Sequence, residues 1–257
     1  MSYFISVQSA SRPNHVELMR NALPDLELNW FIPNSQKNDY KNCNIYGVNG
    51  SMPMKVKQLN SALDIGFETH DYVITMDDDF VNSSVLDNKK AKKINLKVVI
   101  EDLIEELSKS PYYLAGVSGT TNPFYSNDRI INKGMLTGRL LVHKKNELRY
   151  DETCTFLEDL DFVINHHITH NGIVRLNKYL IDYHIYGKSD ITDKKYFGGY
   201  NGYRNLEEQN NILKYIQNKY NNEYIKFPTE NEVGKSLTKS IKWKKFNKNN
   251  NLESFFG

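Results

Sequence analysis

With 257 residues, and 33 Lys and Arg against 31 Asp and Glu, the chain carries a formal net charge of +2, so its overall charge singles out no polyanionic partner. The length suits one main α/β domain with a sizeable core. Cys43 and Cys154 lie far apart and outside any C-x-x-C pattern, which excludes a disulfide-stapled secreted scaffold and fits a reducing cytosol. Nowhere do apolar residues approach the run of about 18 that spans a bilayer. The opening residues Met1–Ser6 also lack the basic and apolar regions of a leader, so a soluble, unanchored, cytoplasmic protein is expected.

In chain order, Tyr3 to Val7 reads as a strand, followed by the polar turn Gln8–Pro13 and a short helix from near Asn14. Leu28–Ile32, ended by Pro33, and Asn44–Val48 read as the next two strands, and the alternation predicts a parallel sheet. Ser51 and Pro53 then open a helix with Val56, Leu59 and Leu63 on one face and Gly66 at its close. Lys55 and Lys57 near its start are read as solvated side chains, with cationic help to a phosphate as the other possibility. Next comes Tyr72–Met76, an apolar, β-branched run typical of a buried parallel strand, which stops at Asp77, Asp78 and Asp79. The rhythm of Leu96, Val99, Ile100, Leu103, Ile104 and Leu107 predicts a helix over 96–109 whose acidic face, Glu101 to Glu106, is solvated. Leu114–Ser118 and Arg139–His143 read as strands, Leu157–His167 as a helix, Leu180–Ile185 as a late strand and Leu206–Tyr220 as a last helix. The organisation expected is a catalytic domain over 1–232 and a lysine-rich extension over 233–257.

The carboxylate clusters carry the chemistry. Ligands of parallel sheets bind beyond the carboxyl ends of the strands, where the aspartate triplet falls. Three adjacent like charges repel and are tolerated most easily around a divalent cation, and hard oxygen ligands suit Mg²⁺ or Mn²⁺. The alternative is a polar loop in which Asp77 caps a following helix. The second cluster, Glu158-Asp159, opens a helix. There it either satisfies free N–H groups or supplies Asp159 as a general base. A helix N-terminus depresses a carboxyl pKa, so basicity at Asp159 requires partial desolvation to offset that effect. His184 ends the late strand among aromatics, a setting for a core residue or a ligand. His166 and His170 have chelating i, i+4 spacing, but without the glutamate of an H-E-x-x-H motif they and His167 are read as surface or supporting residues.

An early strand with a Ser-Arg-Pro loop, an aliphatic strand ending in Asp77-Asp78-Asp79, a later Glu158-Asp159 and a still later His184 follow the order seen in GT-A fold glycosyltransferases. They resemble that fold's D-x-D motif, its x-E-D acceptor-side motif and its C-terminal metal-binding histidine, over roughly residues 3 to 190. The resemblance implies a Rossmann-like α/β fold, with a mixed, mostly parallel sheet flanked by helices. It implies that Asp77 contacts the ribose or uracil side of a UDP-sugar, and that Asp77 and Asp79 with His184 hold Mn²⁺ or Mg²⁺ on the diphosphate. It makes Asp159, with Glu158 beside it, the base of an inverting transfer. Ser9, Arg12 and Asn60 match positions that line the nucleotide pocket, together with Asp77 and Asp78.

Two lysine clusters bear on the acceptor. Lys89, Lys90, Lys92, Lys93 and Lys97 follow the triplet, and Lys235, Lys239, Lys242, Lys244, Lys245 and Lys248 surround Trp243 and Phe246. Basic side chains among aromatics suit a phosphate backbone and unstacked bases; a solvated tail is the plainer reading. The size, the Ser-Arg-Pro start and the two acidic motifs also resemble TET-associated and bacteriophage glycosyltransferases that modify hydroxymethylated pyrimidines in DNA, which implies a bacterial or phage-infected cell. Competing acceptors are a surface glycan, a small metabolite or a protein hydroxyl. A noncatalytic nucleic-acid-binding module and another metal-dependent phosphate enzyme are the rival classes.

Overall fold

An apolar run such as Tyr72–Met76 requires cover on both faces, and the computed structural model, which describes residues 2–183 and 206–221, supplies it. The elements are β1 (Tyr3–Gln8), α1 (His15–Ala22), β2 (Asn29–Pro33), β3 (Asn44–Val48), α2 (Lys55–Thr69), β4 (Tyr72–Asp77), β5 (Phe80–Asp87) and β6 (Lys90–Ile94). They continue with α3 (Leu96–Lys109), β7 (Leu114–Val117), β8 (Ile130–Ile131), β9 (Leu140–Lys144), α4 (Glu158–His170), β10 (Val174–Leu176), β11 (Tyr179–Tyr183) and α5 (Leu206–Lys219). Alternate side chains of each strand enter opposite layers. Ile74 and Met76 of β4 join Val16 and Met19 of α1 and Val99 and Leu103 of α3. Val73 faces the other way, with Leu59 and Leu63 of α2 and Phe162 of α4.

The main sheet has eight strands in the order β3-β2-β1-β4-β9-β7-β10-β8. β3, β2, β1 and β4 are parallel. β9 runs antiparallel between β4 and β7, β10 is parallel to β7, and β8 is antiparallel at the edge. The mixed, mostly parallel α/β sheet expected from the sequence is therefore present. The chain travels outward from β1 to β2 and β3 and then returns to place β4 on the other side of β1. That reversal is where open α/β sheets bind ligands. Register sets Gln8 beside Asp77, so the loops leaving β1 and β4 open at one point.

A second sheet, β11-β5-β6, is antiparallel and was not expected. Its hairpin turns on Asn88-Lys89, with φ values of 49 and 61, the two positive angles that match the twist of flanking strands. No glycine marks this turn, and the lysines of β6 hide the strand's alternation. Gly66 also departs from expectation. The helix runs past it to Thr69, and a Cβ at Gly66 would lie 2.5 Å from Val73 Cγ2 and 3.0 Å from Phe4 Cδ1. The glycine permits close approach of α2 to β1 and β4. Among the described residues no helix is long and apolar enough to cross a membrane.

Gly66→Ala lowers the unfolding free energy by about 1–2 kcal/mol in urea titration, because overpacking outweighs the roughly 1 kcal/mol by which alanine favours a helix. A stabilised variant would show that the packing there is not tight.

Candidate active site

The loop after β1 and the end of β4 form one buried polar cluster. Ser9 Oγ donates to Asp78 Oδ2, and Arg12 Nη1 donates to Asp78 Oδ1 at 2.9 Å. Tyr40 OH bonds Ser9 Oγ at 2.7 Å and accepts from the Arg12 backbone N–H at 3.1 Å. His15 Nδ1 lies 2.8 Å from the Asp78 carbonyl. Burial alone would raise the Asp78 pKa, but His15, Arg12 and Ser9 outweigh it and hold the carboxyl below its usual range. Asp78, expected on the nucleotide side, points inward with both carboxylate oxygens engaged. Ser9 and Arg12, expected to line the nucleotide pocket, lie beside the triplet and fasten Asp78.

Helix α2 begins at the same point because Gln58 Nε2 donates to the carbonyls of Ser9 and Phe31, each at 2.9 Å. This ties the helix start to the ends of β1 and β2 and aims Lys55 at the acidic residues. Lys55 Nζ lies 3.0 Å from Asp77 Oδ1 and 3.1 Å from Glu158 Oε1. One ammonium thus joins the two carboxylate clusters. Burial would lower the Lys55 pKa, yet Asp77 and Glu158 raise it well above the ordinary value. The solvated reading holds for Lys57, which is exposed and 3.8 Å from Glu152, and fails for Lys55.

Asp159 stands next to Glu158 in the first turn of α4, with Leu157 in the left-handed region turning the chain into the helix. Its Oδ2 accepts from the Gly138 N–H at 3.2 Å and its Oδ1 from the Leu160 N–H at 2.9 Å. Gly138 is carried there by β9: the Arg139 carbonyl accepts from the Asp77 N–H at 3.2 Å. Burial, followed by the charge of Glu158, pushes the Asp159 pKa up to about 6 against the pull of Lys55 and the two N–H groups. Desolvation therefore exceeds the depressing effect of the helix N-terminus.

Asp79 is the third member of the triplet. Burial, then Asp77 and Asp78, push its pKa to about 7, against Arg12 and Lys55; Arg12 Nη1 is 3.8 Å from Asp79 Oδ2. A carboxyl whose charge is disfavoured by burial and by neighbouring anions is one that a divalent cation would stabilise in its ionised form. With Asp78 committed to Ser9 and Arg12, and Oδ1 of Asp77 paired with Lys55, the triplet offers Asp79 and the second oxygen of Asp77. That suits Mg²⁺ or Mn²⁺ binding that is completed by phosphate oxygens and water. The further expected ligand, His184, lies outside the described residues, as do the six C-terminal lysines.

Other expected residues fall elsewhere. Asn60 donates to the Tyr150 carbonyl at 2.9 Å and accepts from its N–H at 2.8 Å, fastening α2 to the segment between β9 and α4. His166 and His167 are buried, not on the surface. His167 Nε2 lies 3.0 Å from the Gly134 carbonyl, and burial holds His166 well below its usual pKa. Asp151, Cys154 and Asp161 are the residues whose ligand atoms gather within 4.8 Å among those described. Lys219 Nζ already fills that group, 2.7 Å from Asp151 and 2.9 Å from Asp161. Tyr40, His15, Gln58 and Gly138 were missed in the sequence; Lys55, at a helix start, was singled out there but read as a solvated side chain.

No protein-family model and no curated protein matches the sequence. Solved structures with a similar chain course include a putative nucleotide-diphospho-sugar transferase from Desulfovibrio desulfuricans G20. It is 11% identical over 84% of this chain and 99% of that one, with a TM-score of 0.38. The galactosyltransferase LgtC, in complex with donor and acceptor sugar analogs, is 9% identical over 56% of this chain and 58% of that one, with a TM-score of 0.31. The bifunctional IspDF of Campylobacter jejuni is 10% identical over 84% and 47%, with a TM-score of 0.28. At these values the chemistry rests on this chain's own residues.

Lys55→Met leaves Asp77 and Glu158 facing each other without a counter-charge and lowers stability at pH 7 by about 2 kcal/mol, the buried-pair cost discounted for partial exposure. The deficit narrows as pH falls through about 6, where Asp159 takes up a proton. Urea titrations at pH 7.5 and 5 read both effects; an equal deficit at the two values would exclude an electrostatic origin.

Proposed function

We propose that the chain is a metal-dependent glycosyltransferase that moves a sugar from a nucleotide-sugar donor, a UDP-sugar, to an acceptor hydroxyl with inversion. The observation that carries this reading is the Lys55 bridge, which joins the aspartates at the end of β4 to the start of α4, where Asp159 has a raised pKa. In the reaction, the acceptor oxygen bonds to the anomeric carbon as the bond from that carbon to the diphosphate oxygen breaks. The hydroxyl proton passes to Asp159. Asp77 and Asp79 would hold a divalent ion, which would supply neutralisation of the charge that develops on the leaving nucleoside diphosphate. Glu158 keeps Asp159 basic enough for the task, since a general base works best with a pKa near the working pH. Lys55 keeps Glu158 and Asp77 in place.

The acceptor assigned is the hydroxymethyl group of a modified pyrimidine in DNA. The support is the run of five lysines from Lys89 to Lys97 with no acidic residue among them, close behind the triplet. Reaching such a base from a duplex requires the major groove or base flipping.

Incubation with Mn²⁺, pooled nucleotide sugars and DNA carrying hydroxymethylcytosine, followed by digestion and mass spectrometry, yields a nucleoside heavier by one hexose or pentose. Asp79→Ala abolishes Mn²⁺-dependent nucleoside diphosphate binding. Asp159→Asn slows transfer by about 10²- to 10⁴-fold. For the unaltered enzyme kcat/KM rises with pH through about 6 and then levels, because the base must be ionised. Free nucleoside diphosphate without added mass would remove DNA as acceptor. DNA cleavage or pyrophosphate release would replace the transferase with another phosphate enzyme.

A further inference from the structure

The β5–β6 hairpin leaves the site directly after Asp79 and carries Lys89, Lys90, Lys92 and Lys93 on its turn and outer strand, all exposed. β6 is an edge strand, with β5 on one side and no neighbour on the other among the described residues. None of these four lysines makes an ion pair with a described residue; Asp87, across the ladder from Lys90, is the nearby acid. Lys90 and Lys92 project from one face of the hairpin and Lys93 from the other, so positive charge flanks an edge with no ion-pair partner among the described residues.

A second element lies against the same strand. The loop after β7 contains the short 3₁₀ turn Pro123–Tyr125, whose backbone approaches β6 with Cα atoms within 8 Å. There Phe124 and Tyr125 are 79% and 73% exposed, their rings perpendicular and 5.3 Å apart. Large aromatic side chains this exposed are uncommon unless something covers them. The segment that carries them leads back to the chemistry: β7 is parallel to β4, so its loop leaves the same edge of the sheet, and the chain then passes through β8 and returns by Gly138 to Asp159. At the rise of a strand, the lysines sit roughly 15 to 25 Å along the hairpin from Asp79. A polymer spans that distance; a small acceptor does not.

We infer that the exposed edge of β6, flanked by its lysines on both sides and joined by Phe124 and Tyr125, is a docking surface for single-stranded nucleic acid that leads the acceptor strand to Asp159. The partner needs regular negative charge for the lysines and flat, unstacked rings for the aromatics, and single strands present both. This deepens the transferase reading and rests on it for the acceptor's fate, while docking itself is measurable without any donor.

The test is fluorescence anisotropy of the full chain with a 5′-labelled single-stranded DNA of about a dozen nucleotides, a length within the range such surfaces cover, over a salt series and with no nucleotide sugar present. The expected result is binding in which Lys90→Gln/Lys92→Gln/Lys93→Gln weakens affinity at least tenfold. The same triple variant makes the log–log salt slope shallower by about 2, since each single-strand phosphate that a lysine neutralises adds roughly 0.7 to the slope. Phe124→Ala/Tyr125→Ala weakens binding to a similar degree with the slope unchanged, and arginine at the three lysine positions preserves both quantities. Absence of binding, variants that bind as the parent does, or displacement by hyaluronan as effective as by unlabelled DNA would each overturn the proposal. A failure of sugar transfer with this pattern intact would count against the donor chemistry alone.

Discussion

The negative charge at the end of β4 is held by two cations that reach it from different elements. Arg12, from the loop after β1, pairs with Asp78 at 2.9 Å, and Lys55, from the start of α2, pairs with Asp77 at 3.0 Å. Each aspartate thereby acquires a separate condition. Asp78 is an internal anchor below its usual pKa, Asp77 is ion-paired at the mouth, and Asp79, through burial and then the two like charges beside it, is pushed to about 7. The second partner of Lys55, Glu158, couples the start of α4 to the same cluster. Removing a shared counter-ion exposes several carboxylates to one another at once, so the arrangement is sensitive to that single residue.

The sheet makes this convergence possible. Because the chain reverses its direction of travel between β1 and β4, the loops of both strands leave at a common crevice. The antiparallel β9 then brings Gly138 and Arg139 back to the crevice from the far side of β4. Gln58 fixes the start of α2 to the ends of β1 and β2, and Asn60 fixes its next turn to Tyr150. The two carboxylate clusters are thus positioned by hydrogen bonds to the ends of strands and the start of a helix, which favours a pre-organised site. Outside it, the basic hairpin and the aromatic turn stand at the rim, where a polymer would pass.

Much of the frame was legible in the chain. The helix over 96–109 matches α3, the third strand matches β3, and the apolar run before the triplet is β4. The two acidic motifs were visible as motifs, and the need for desolvation at Asp159 was visible as a condition. The failures have specific causes. Gly66 read as a helix end because a glycine's effect on close packing depends on Phe4 and Val73, which no local pattern names. The β5–β6 hairpin escaped notice because its turn uses Asn and Lys at positive φ and its outer strand is polar on both sides. His166 and His167 read as surface or supporting residues, and the surface alternative stayed open because two adjacent imidazoles carry no sign of the layer that buries them.

By itself the sequence determined the periodicities and the charge runs, hence an alternating α/β chain with acidic residues at a strand end and at a helix start. These are local properties, set by side-chain type within a turn or a strand. Only the tertiary structure decided which carboxylate turns inward, which lysine is buried and how basic Asp159 becomes. Ser9 and Asp78 are 69 residues apart, and Arg12 and Asp78 are 66. Desolvation and Coulomb coupling between groups so distant in the chain exist only once strand order and register have brought them into one low-dielectric crevice.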